Sequence, residues 1–255
     1  MTGIRVEHQE NILSLVFDRA DKKNAITDAM YGTLADALGA AKDDASVRAI
    51  LLRAEGDTFC AGNDIGDFIA IATSKSDAPR NVHRFLDALA TATKPIVAAV
   101  QGNAVGIGTT MLLHCDYLVL AESAVLITPF VNLALVPEAA SSLLLPARIG
   151  YARAFSMFAL GEPVPAKTAL DWGLANKVVP AAELHETALA VAQKLTHQPA
   201  RSVAFTKELM RAPEVLRAQM QAEGKKLTEQ FQSAEAKEAF TAFFERRKPD
   251  FRKFQ

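Results

Sequence analysis

Glu138 is the residue of this 255-residue chain whose type and surroundings point most directly to chemistry. It is the one charged residue in the run 133–140, and three leucines follow shortly after that run. A carboxyl group in apolar surroundings loses hydration, which disfavours its charged form and raises its pKa. Such a group suits general acid–base catalysis near neutral pH. A structural role is equally open at this point, because Glu138 could instead cap a helix beginning near Ser141 or pair with an arginine.

Two turns upstream of Glu138 contain glycine and follow predicted strands. The first covers 59–65 after a strand over 47–52, and the second covers 101–110 after a strand over 96–100. Each turn leads into a predicted helix, and the amides that begin a helix point outward, where they can stabilise a negative oxygen. Two such units in one fold can each aim one N–H group at a single oxygen atom.

The second turn also has two other interpretations. Gly106 and Gly108 resemble part of a dinucleotide-binding fingerprint, but Met111 stands where its third glycine would be. The glycines could also serve only to let a helix and a strand pack closely. The presence of both turns together with Glu138 favours a catalytic oxyanion site.

The elements that must position these residues alternate between strand and helix. Helical periodicity follows Thr27, a predicted N-cap, and extends to about Lys42. The alternation predicts an α/β fold with crossover connections, with a core over 1–195 and a helical region over 196–255. From length alone, one large domain or two small ones are possible. The predicted strands cover 4–8, 11–17, 47–52, 96–100 and 117–120, and the later helices cover 141–149, 151–160, 181–195, 199–210 and 214–246.

The bulk properties exclude several classes of protein. A net charge of −1 provides no global field that would favour nucleic acid or a membrane surface. The two cysteines, Cys60 and Cys115, have neither a disulfide framework nor metal-type spacing. The first residues lack a signal pattern, and the apolar stretch over 97–105 is interrupted too early to span a bilayer. We therefore expect a soluble, cytoplasmic protein that holds no metal.

Six motifs, taken in their order along the chain, resemble the enoyl-CoA hydratase/isomerase (crotonase) superfamily over essentially the whole length. The resemblance implies a crotonase-like spiral core of ββα units and an acyl-CoA thioester as substrate. It further implies that two backbone amides, those of Asn63 and Ile107, polarise the thioester carbonyl. Many members have glycine in place of Ile107, but this role requires only a backbone N–H group. The motifs lie at 23–26, 59–65, 94–100, 102–108, 115–116 and 239–251.

The same resemblance implies where CoA binds and how the chains assemble. No cofactor is implied, because CoA is part of the substrate. Members form trimers or dimers of trimers, so Phe244 and Lys248 are expected to reach the CoA of a neighbouring subunit. Lys22 and Lys23 are candidates for the CoA phosphates, although exposed loop lysines would look the same. The five histidines show neither triad nor ligand spacing. The residues assigned to CoA or substrate by position are Lys23, Ala25, Ala61, Gly62, Asn63, Asp64, Ile65, Gly106, Phe244 and Lys248.

The choice of reaction depends on three positions. The hydratases of the superfamily carry two glutamates that hold water, and by position these correspond to Thr110 and Phe130, neither of which exchanges a proton as a carboxylate does. Glu138 falls where the Δ3,Δ2-enoyl-CoA isomerases have their single catalytic glutamate. Alanines 139 and 140 depart from the glycines that are common there, which narrows the pocket without removing the base.

The resemblance therefore implies an isomerase that moves a double bond from 3-enoyl-CoA to 2-trans-enoyl-CoA through a dienolate. Other crotonase-type activities remain open: a dienoyl-CoA or ring-acyl-CoA isomerase, a thioesterase, or a weak hydratase. A non-catalytic acyl-CoA-binding module also remains open, although Glu138 within an intact motif argues against it.

Overall fold

The computed structural model describes residues 3–64, 66–67 and 80–254, and within them nine strands form two sheets. The larger sheet has the spatial order β1-β2-β3-β4-β6-β9, in which β1 and β2 are antiparallel and the remaining pairs are parallel. The smaller sheet has the order β5-β7-β8. The strands are β1 (Ile4–Gln9), β2 (Ile12–Phe17), β3 (Ala49–Ala54), β4 (Ile96–Val100), β5 (Asn103–Val105), β6 (Tyr117–Ala121), β7 (Val125–Ile127), β8 (Val164–Pro165) and β9 (Lys177–Val179).

The last four α-helices of the described residues follow β9, the last strand of the larger sheet. None of the helices in the described part of the chain is both long and apolar enough to cross a membrane. α5 continues directly into a π-helix over Ser156–Leu160. The α-helices are α1 (Asp28–Asp43), α2 (Asn81–Ala90), α3 (Ile107–Thr110), α4 (Ser141–Ile149), α5 (Tyr151–Phe155), α6 (Ala166–Asp171), α7 (Leu184–Thr196), α8 (Ala200–Met210), α9 (Pro213–Phe231) and α10 (Ala234–Phe244), and short 3-10 helices cover Ala20–Lys22, Met111–His114, Val131–Leu133, Ala181–Glu183 and Phe251–Phe254.

The larger sheet is covered on both faces, as the uninterrupted apolar strands predict. Every residue of β4 is buried. Val97 and Ala99 pack with the apolar side of α7, whereas Ile96, Ala98 and Val100 face the main core that includes α1. This alternation follows from the two-residue period of a strand. The sheet is therefore a rigid base for the turns that leave its edge.

The two glycine-containing turns leave β3 and β4 at the same edge, because these strands are parallel neighbours. The turns then lie side by side, with hydrogen bonds from the Phe59 N–H to the Gln101 carbonyl (2.9 Å) and from the Cys60 N–H to the Asn103 carbonyl (3.1 Å). Gly102 has φ +56°, and a Cβ atom there would lie 1.9 Å from the Asp57 carbonyl oxygen. Only glycine permits this contact, so the two turns form one packed unit.

Most of the predicted elements are confirmed, including 96–100 and 141–149. The single helix predicted over 214–246 is wrong: α9 ends at Phe231, and α10 begins after Ser233. The Ser233 hydroxyl accepts a hydrogen bond from the Ala236 N–H (3.0 Å), so it satisfies an amide that a new helix leaves open. The turn between β1 and β2 lies at Glu10–Asn11, one residue later than predicted. The helix expected after the first glycine-containing turn lies largely outside the described residues.

Candidate active site

A cavity of about 840 Å³ lies between the two turns, α2 and α9. Its size is typical of a pocket that encloses most of a small-molecule ligand. Seven residues that the sequence predicts for the site line this cavity: Ala61, Gly62, Asn63, Asp64, Gly106, Ile107 and Glu138. Apolar side chains cover much of the rest, including Ile26, Leu86, Phe130, Leu133, Leu135, Val136, Met220, Leu227, Phe231, Phe240 and Phe243.

Glu138 is half-buried, with part of its surface open to the cavity. The Thr110 hydroxyl donates a hydrogen bond of 2.5 Å to its carboxylate oxygen Oε1. Burial raises the pKa of Glu138 to about 7; the bond from Thr110 opposes that rise, and the charge of Glu223 adds to it. The group can thus take up and release a proton near neutral pH, as the sequence predicts.

The structure rejects the two structural roles considered for the Glu138 side chain. The Ser141 N–H is accepted by the backbone carbonyl of Glu138 (3.0 Å), not by its carboxylate, so the side chain does not cap α4. Within residues 3–64, 66–67 and 80–254, no arginine forms an ion pair with Glu138. The carboxylate is therefore available to the cavity.

The turn after Glu138 has an unusual backbone. Ala139 and Ala140 have φ angles of +60° and +55°, a conformation that costs a residue with a Cβ atom roughly 1–2 kcal/mol. The His114 ring nitrogen Nε2 lies 2.8 Å from the Ala139 carbonyl oxygen. Burial lowers the pKa of His114 to about 3, so the ring is neutral and donates its Nε2 proton to that carbonyl. His114 therefore stabilises the strained turn, although the spacing of the histidines in the sequence gave no reason to select it.

Asn63 and Ile107 each present a backbone N–H group for which the described residues provide no acceptor. Ile107 is the first residue of α3, where helix geometry leaves the amide open. At Gly62, φ is +94°, and a Cβ atom would lie 3.1 Å from the Val105 carbonyl oxygen, so the segments that carry the two amides approach closely. Two open amides beside one cavity can bind a single developing oxyanion.

The Asn63 side chain is also fixed. The Tyr31 hydroxyl donates a hydrogen bond of 2.5 Å to the Asn63 oxygen Oδ1. Tyr31 lines the cavity from α1 and is 4% exposed. Burial raises the pKa of Tyr31 well above the ordinary range, and the negative charges of Glu138 and Asp28 add to this effect, so the hydroxyl stays protonated.

The remaining predicted residues lie outside this cavity. The Lys23 carbonyl accepts a hydrogen bond from the Ala61 N–H (3.0 Å), so the segment that carries Lys23 and Ala25 runs beside the first turn while the Lys23 side chain is exposed. Phe244, which is 62% exposed, and Lys248 are on the surface of this chain. Their expected contact with a neighbouring subunit's CoA stays a prediction. Ile65 lies outside the described residues.

Thr110 and Phe130, which stand where the hydratases carry glutamates, both contact other side chains. The Thr110 hydroxyl is committed to Glu138, and the Phe130 ring is 7% exposed and packs against Phe158 with ring centres 6.1 Å apart. No set of three His, Cys, Asp or Glu side chains within the described ranges could hold a metal ion. Acid–base chemistry at Glu138 beside two open amides is what this arrangement supports.

Three residues of the site were not selected from the sequence: Tyr31, His114 and Glu223. Tyr31 lies in the apolar stripe of α1, where a buried hydroxyl needs a partner, so a signal was present. His114 and Glu223 gave none, because their partners at Ala139 and Ala140 are 25 and 83 positions away in the chain.

Comparisons with known proteins agree with this geometry. The sequence model of the enoyl-CoA hydratase/isomerase family matches residues 7–254. A crystal structure of an enoyl-CoA hydratase/isomerase from Pseudoalteromonas atlantica superposes with a TM-score of 0.94 at 42% identity, covering 98% of this chain and 99% of that one.

Two curated relatives differ in the reaction for which they are named. The 1,2-epoxyphenylacetyl-CoA isomerase of Escherichia coli is 32% identical over 95% of both chains. A probable enoyl-CoA hydratase of Bacillus subtilis is also 32% identical, over 90% of this chain and 91% of the relative. With its α/β crotonase fold and helical C-terminal region, the chain belongs to the enoyl-CoA hydratase/isomerase family.

Proposed function

We propose that this protein is a Δ3,Δ2-enoyl-CoA isomerase, and Glu138 is the observation that carries the proposal. The family acts on acyl-CoA thioesters. Glu138 combines a pKa raised to about 7 with access to an apolar cavity, and among the described residues its carboxylate accepts one hydrogen bond, from Thr110. A carboxylate of this kind can remove a weakly acidic carbon-bound proton and then return it elsewhere.

The reaction has two steps. Glu138 takes the proton from C2 of a 3-enoyl thioester, and the electron pair of that C–H bond spreads over C2, C3, C4 and the thioester oxygen as a dienolate. The double bond between C2 and C3 forms as the original bond between C3 and C4 is lost. Protonated Glu138 then delivers the same proton to C4, which leaves 2-trans-enoyl-CoA and a free carboxylate.

The amides of Asn63 and Ile107 would stabilise the dienolate oxygen. Preorganised N–H groups act more strongly on the charged intermediate than on the neutral thioester, and losing one such donor typically costs roughly 3–4 kcal/mol of transition-state stabilisation. The apolar lining of the cavity supports the same role, because excluding water strengthens each of these electrostatic contacts.

Hydration of a 2-enoyl-CoA is the less favoured reaction, although some relatives are named as hydratases. Addition of water needs groups that hold and activate a water molecule beside the double bond. At the two positions concerned this chain has the Thr110 hydroxyl, already bonded to Glu138, and the Phe130 ring. Neither can take a proton from water as a carboxylate can.

Isomerisation of a ring-derived acyl-CoA is the second candidate function. The cavity volume of about 840 Å³ leaves room for a ring, and four phenylalanines line it: Phe130, Phe231, Phe240 and Phe243. The E. coli relative is named for such a substrate. The same base and the same amides would serve this reaction.

One assay separates these functions. Purified protein is incubated in turn with 3-enoyl-CoA, 2-enoyl-CoA and a ring-derived unsaturated acyl-CoA, and the CoA esters are separated by chromatography and identified by mass. We expect conversion of 3-enoyl-CoA to 2-trans-enoyl-CoA, and conversion at least about 100-fold slower by the E138Q variant. Faster turnover of the ring substrate would favour the second candidate, and dominant formation of 3-hydroxyacyl-CoA would overturn both.

A further inference from the structure

Glu223 on α9 is a buried carboxylate bound to the turn that follows Glu138. It is 6% exposed, and its oxygen Oε2 accepts the Ala140 N–H at 2.7 Å. Its oxygen Oε1 accepts both the Ser142 N–H, at 3.0 Å, and the Ser142 hydroxyl. Burial raises the pKa of Glu223, and the donors that face both oxygens oppose this rise by stabilising the ionised carboxylate.

The Ser142 hydroxyl, which faces Glu223, is oriented by a second residue. Gln219, one turn earlier on α9, donates from its amide nitrogen to the Ser142 oxygen at 2.8 Å. The Ser142 proton is therefore free to point at Glu223. Ala140, the N-cap residue of α4, has no side chain that could accept a hydrogen bond from the first amides of the helix. Glu223 supplies that cap from a distant helix.

This cap acts on the most strained part of the site. Ala139 and Ala140 both have left-handed φ angles, and the residue immediately before them is Glu138. The Glu223 bond to the Ala140 N–H, together with the His114 bond to the Ala139 carbonyl, holds the pair in this conformation. A relaxed turn would move Glu138 relative to the amides of the cavity.

Glu223 also lies close enough to act on Glu138 through its charge. Of the titratable groups around Glu138, Tyr31 on α1 stays protonated and His114 behind the turn stays neutral. Arg217 and Asp87 at the cavity rim form an ion pair with each other (2.6 Å). Among the described residues, the charge of Glu223 raises the pKa of Glu138, after the larger effect of burial.

We propose that Glu223 is a positioning residue, which holds the left-handed turn at Ala139 and Ala140 and sets both the place and the proton affinity of Glu138. It does not line the cavity, whereas its neighbours Met220, Gln221 and Gly224 do, so it acts without touching substrate. This role in the reaction rests on the proposed function, in which Glu138 is the base.

The test compares E223Q with E229Q, a matched change on the same helix at an exposed glutamate that pairs with Lys226. Glutamine has the same size as glutamate but carries no charge. Its amide N–H₂ group would also face one of the donors that now bind the Glu223 carboxylate. We expect kcat of E223Q to fall roughly 10- to 100-fold with little change in KM, since a small misplacement of a catalytic group costs up to about 10² in rate. The acid limb of its pH profile should move to lower pH, whereas E229Q should match the wild type.

A second variant, E223Q/A140G, keeps the test valid if E223Q alone does not fold. Glycine adopts the left-handed conformation without strain, so this variant should regain thermal stability while its acid limb stays at lower pH. A wild-type kcat and pH profile in E223Q would overturn the positioning role. If E223Q/A140G recovers both the wild-type kcat and the wild-type position of the acid limb, the positioning role is also overturned. Glu223 would then serve only as a helix cap.

A measurement without turnover separates this inference from the proposed function. In protein labelled with ¹³C at glutamate carboxyls, the Glu138 resonance is the one missing from E138Q, and its titration is followed in wild type and in E223Q/A140G. We expect the midpoint to fall in the variant. A fall in a protein that shows no isomerase activity would support the link between the two glutamates and reject the function, and an unchanged midpoint would reject the link.

Discussion

The Tyr31 hydroxyl donates to the Asn63 side-chain oxygen across 2.5 Å, so a residue of α1 fixes a residue whose backbone amide faces the cavity. The two residues are 32 positions apart in the chain. Because the tip of the Asn63 side chain is held, the residue has less freedom to turn its backbone N–H group away from an incoming oxygen. The precision of the proposed oxyanion site thus depends on a helix that contributes no donor to it.

Replacing Tyr31 with phenylalanine should slow isomerisation several-fold without abolishing it. The change leaves the Asn63 oxygen Oδ1 without its donor, and an interaction of this kind is worth about 1 kcal/mol. Steady-state kinetics on 3-enoyl-CoA measure the effect, with Tyr151→Phe as the control because the Tyr151 side chain is 74% exposed outside the cavity. An unchanged kcat in Y31F would mean that Asn63 needs no support.

Replacing Glu138 with glutamine should lower kcat on the order of 10²–10⁴-fold, the usual contribution of a positioned general base. Acyl-CoA binding should persist, because it depends mainly on the backbone of the two turns. Calorimetric titration with a saturated acyl-CoA measures binding separately from rate. Near-normal turnover would move the chemistry to another residue, and loss of binding together with rate would assign Glu138 a structural role.

The Thr110 hydroxyl lowers the pKa of Glu138 against the rise caused by burial. In the wild type, kcat/KM should fall as the pH drops through about 7, because Glu138 becomes protonated and can no longer accept a proton. In T110V the hydrogen bond to the charged form is lost, so the acid limb should move to higher pH. Thr33→Val, which changes a hydroxyl that bonds within α1, is the control. A limb that stays in place would exclude Glu138 as the titrating group.

Hydratase activity should be negligible. Incubation of the wild-type protein with 2-enoyl-CoA, followed by mass analysis of the CoA esters, should leave the substrate unhydrated over times that complete the isomerisation of 3-enoyl-CoA. The reason is that Thr110 and Phe130 provide no second carboxylate to hold water. Rapid appearance of 3-hydroxyacyl-CoA would contradict the assignment of these two positions.

The protein should self-associate, in keeping with the trimers or dimers of trimers expected from the family resemblance. Six large apolar side chains on α5, the following π-helix and α8 are at least half exposed, and Leu209 is 89% exposed. Burying such side chains against another copy is favourable. Light scattering at micromolar concentration should give a multiple of the 27.5 kDa chain mass, reduced in L209E. A monomer mass for the wild type would refute this. The six are Tyr151, Phe155, Leu160, Phe205, Leu209 and Met210.

The sequence is sufficient to predict a residue's burial or pKa where residues nearby in the chain form its environment. The unbroken apolar run of β4 predicts a strand buried on both faces, and the apolar neighbours of Glu138 predict its raised pKa. It is insufficient where a contact joins distant segments. The hydrogen bonds that join His114 and Glu223 to the turn after Glu138 exist only once the 3-10 helix Met111–His114 and α9 have packed against that turn, so no spacing in the sequence predicts them.

Short elements fail for a related reason. β5 and β7 have three residues each, too few to show a period, and they become strands because each pairs with the other. The break between α9 and α10 needs only the Ser233 cap, which interrupts an otherwise continuous helical pattern.

The contact at Gly102 has a consequence for how this chain tolerates mutation. A single methyl group at this position would meet the Asp57 carbonyl oxygen and push the two turns apart. Gly102 belongs to the second turn and does not line the cavity, yet changing it would move the amides of Asn63 and Ile107 apart. Sensitivity to substitution should therefore extend well below the surface that a substrate meets, and a mutational scan that covered only the cavity wall would overlook it.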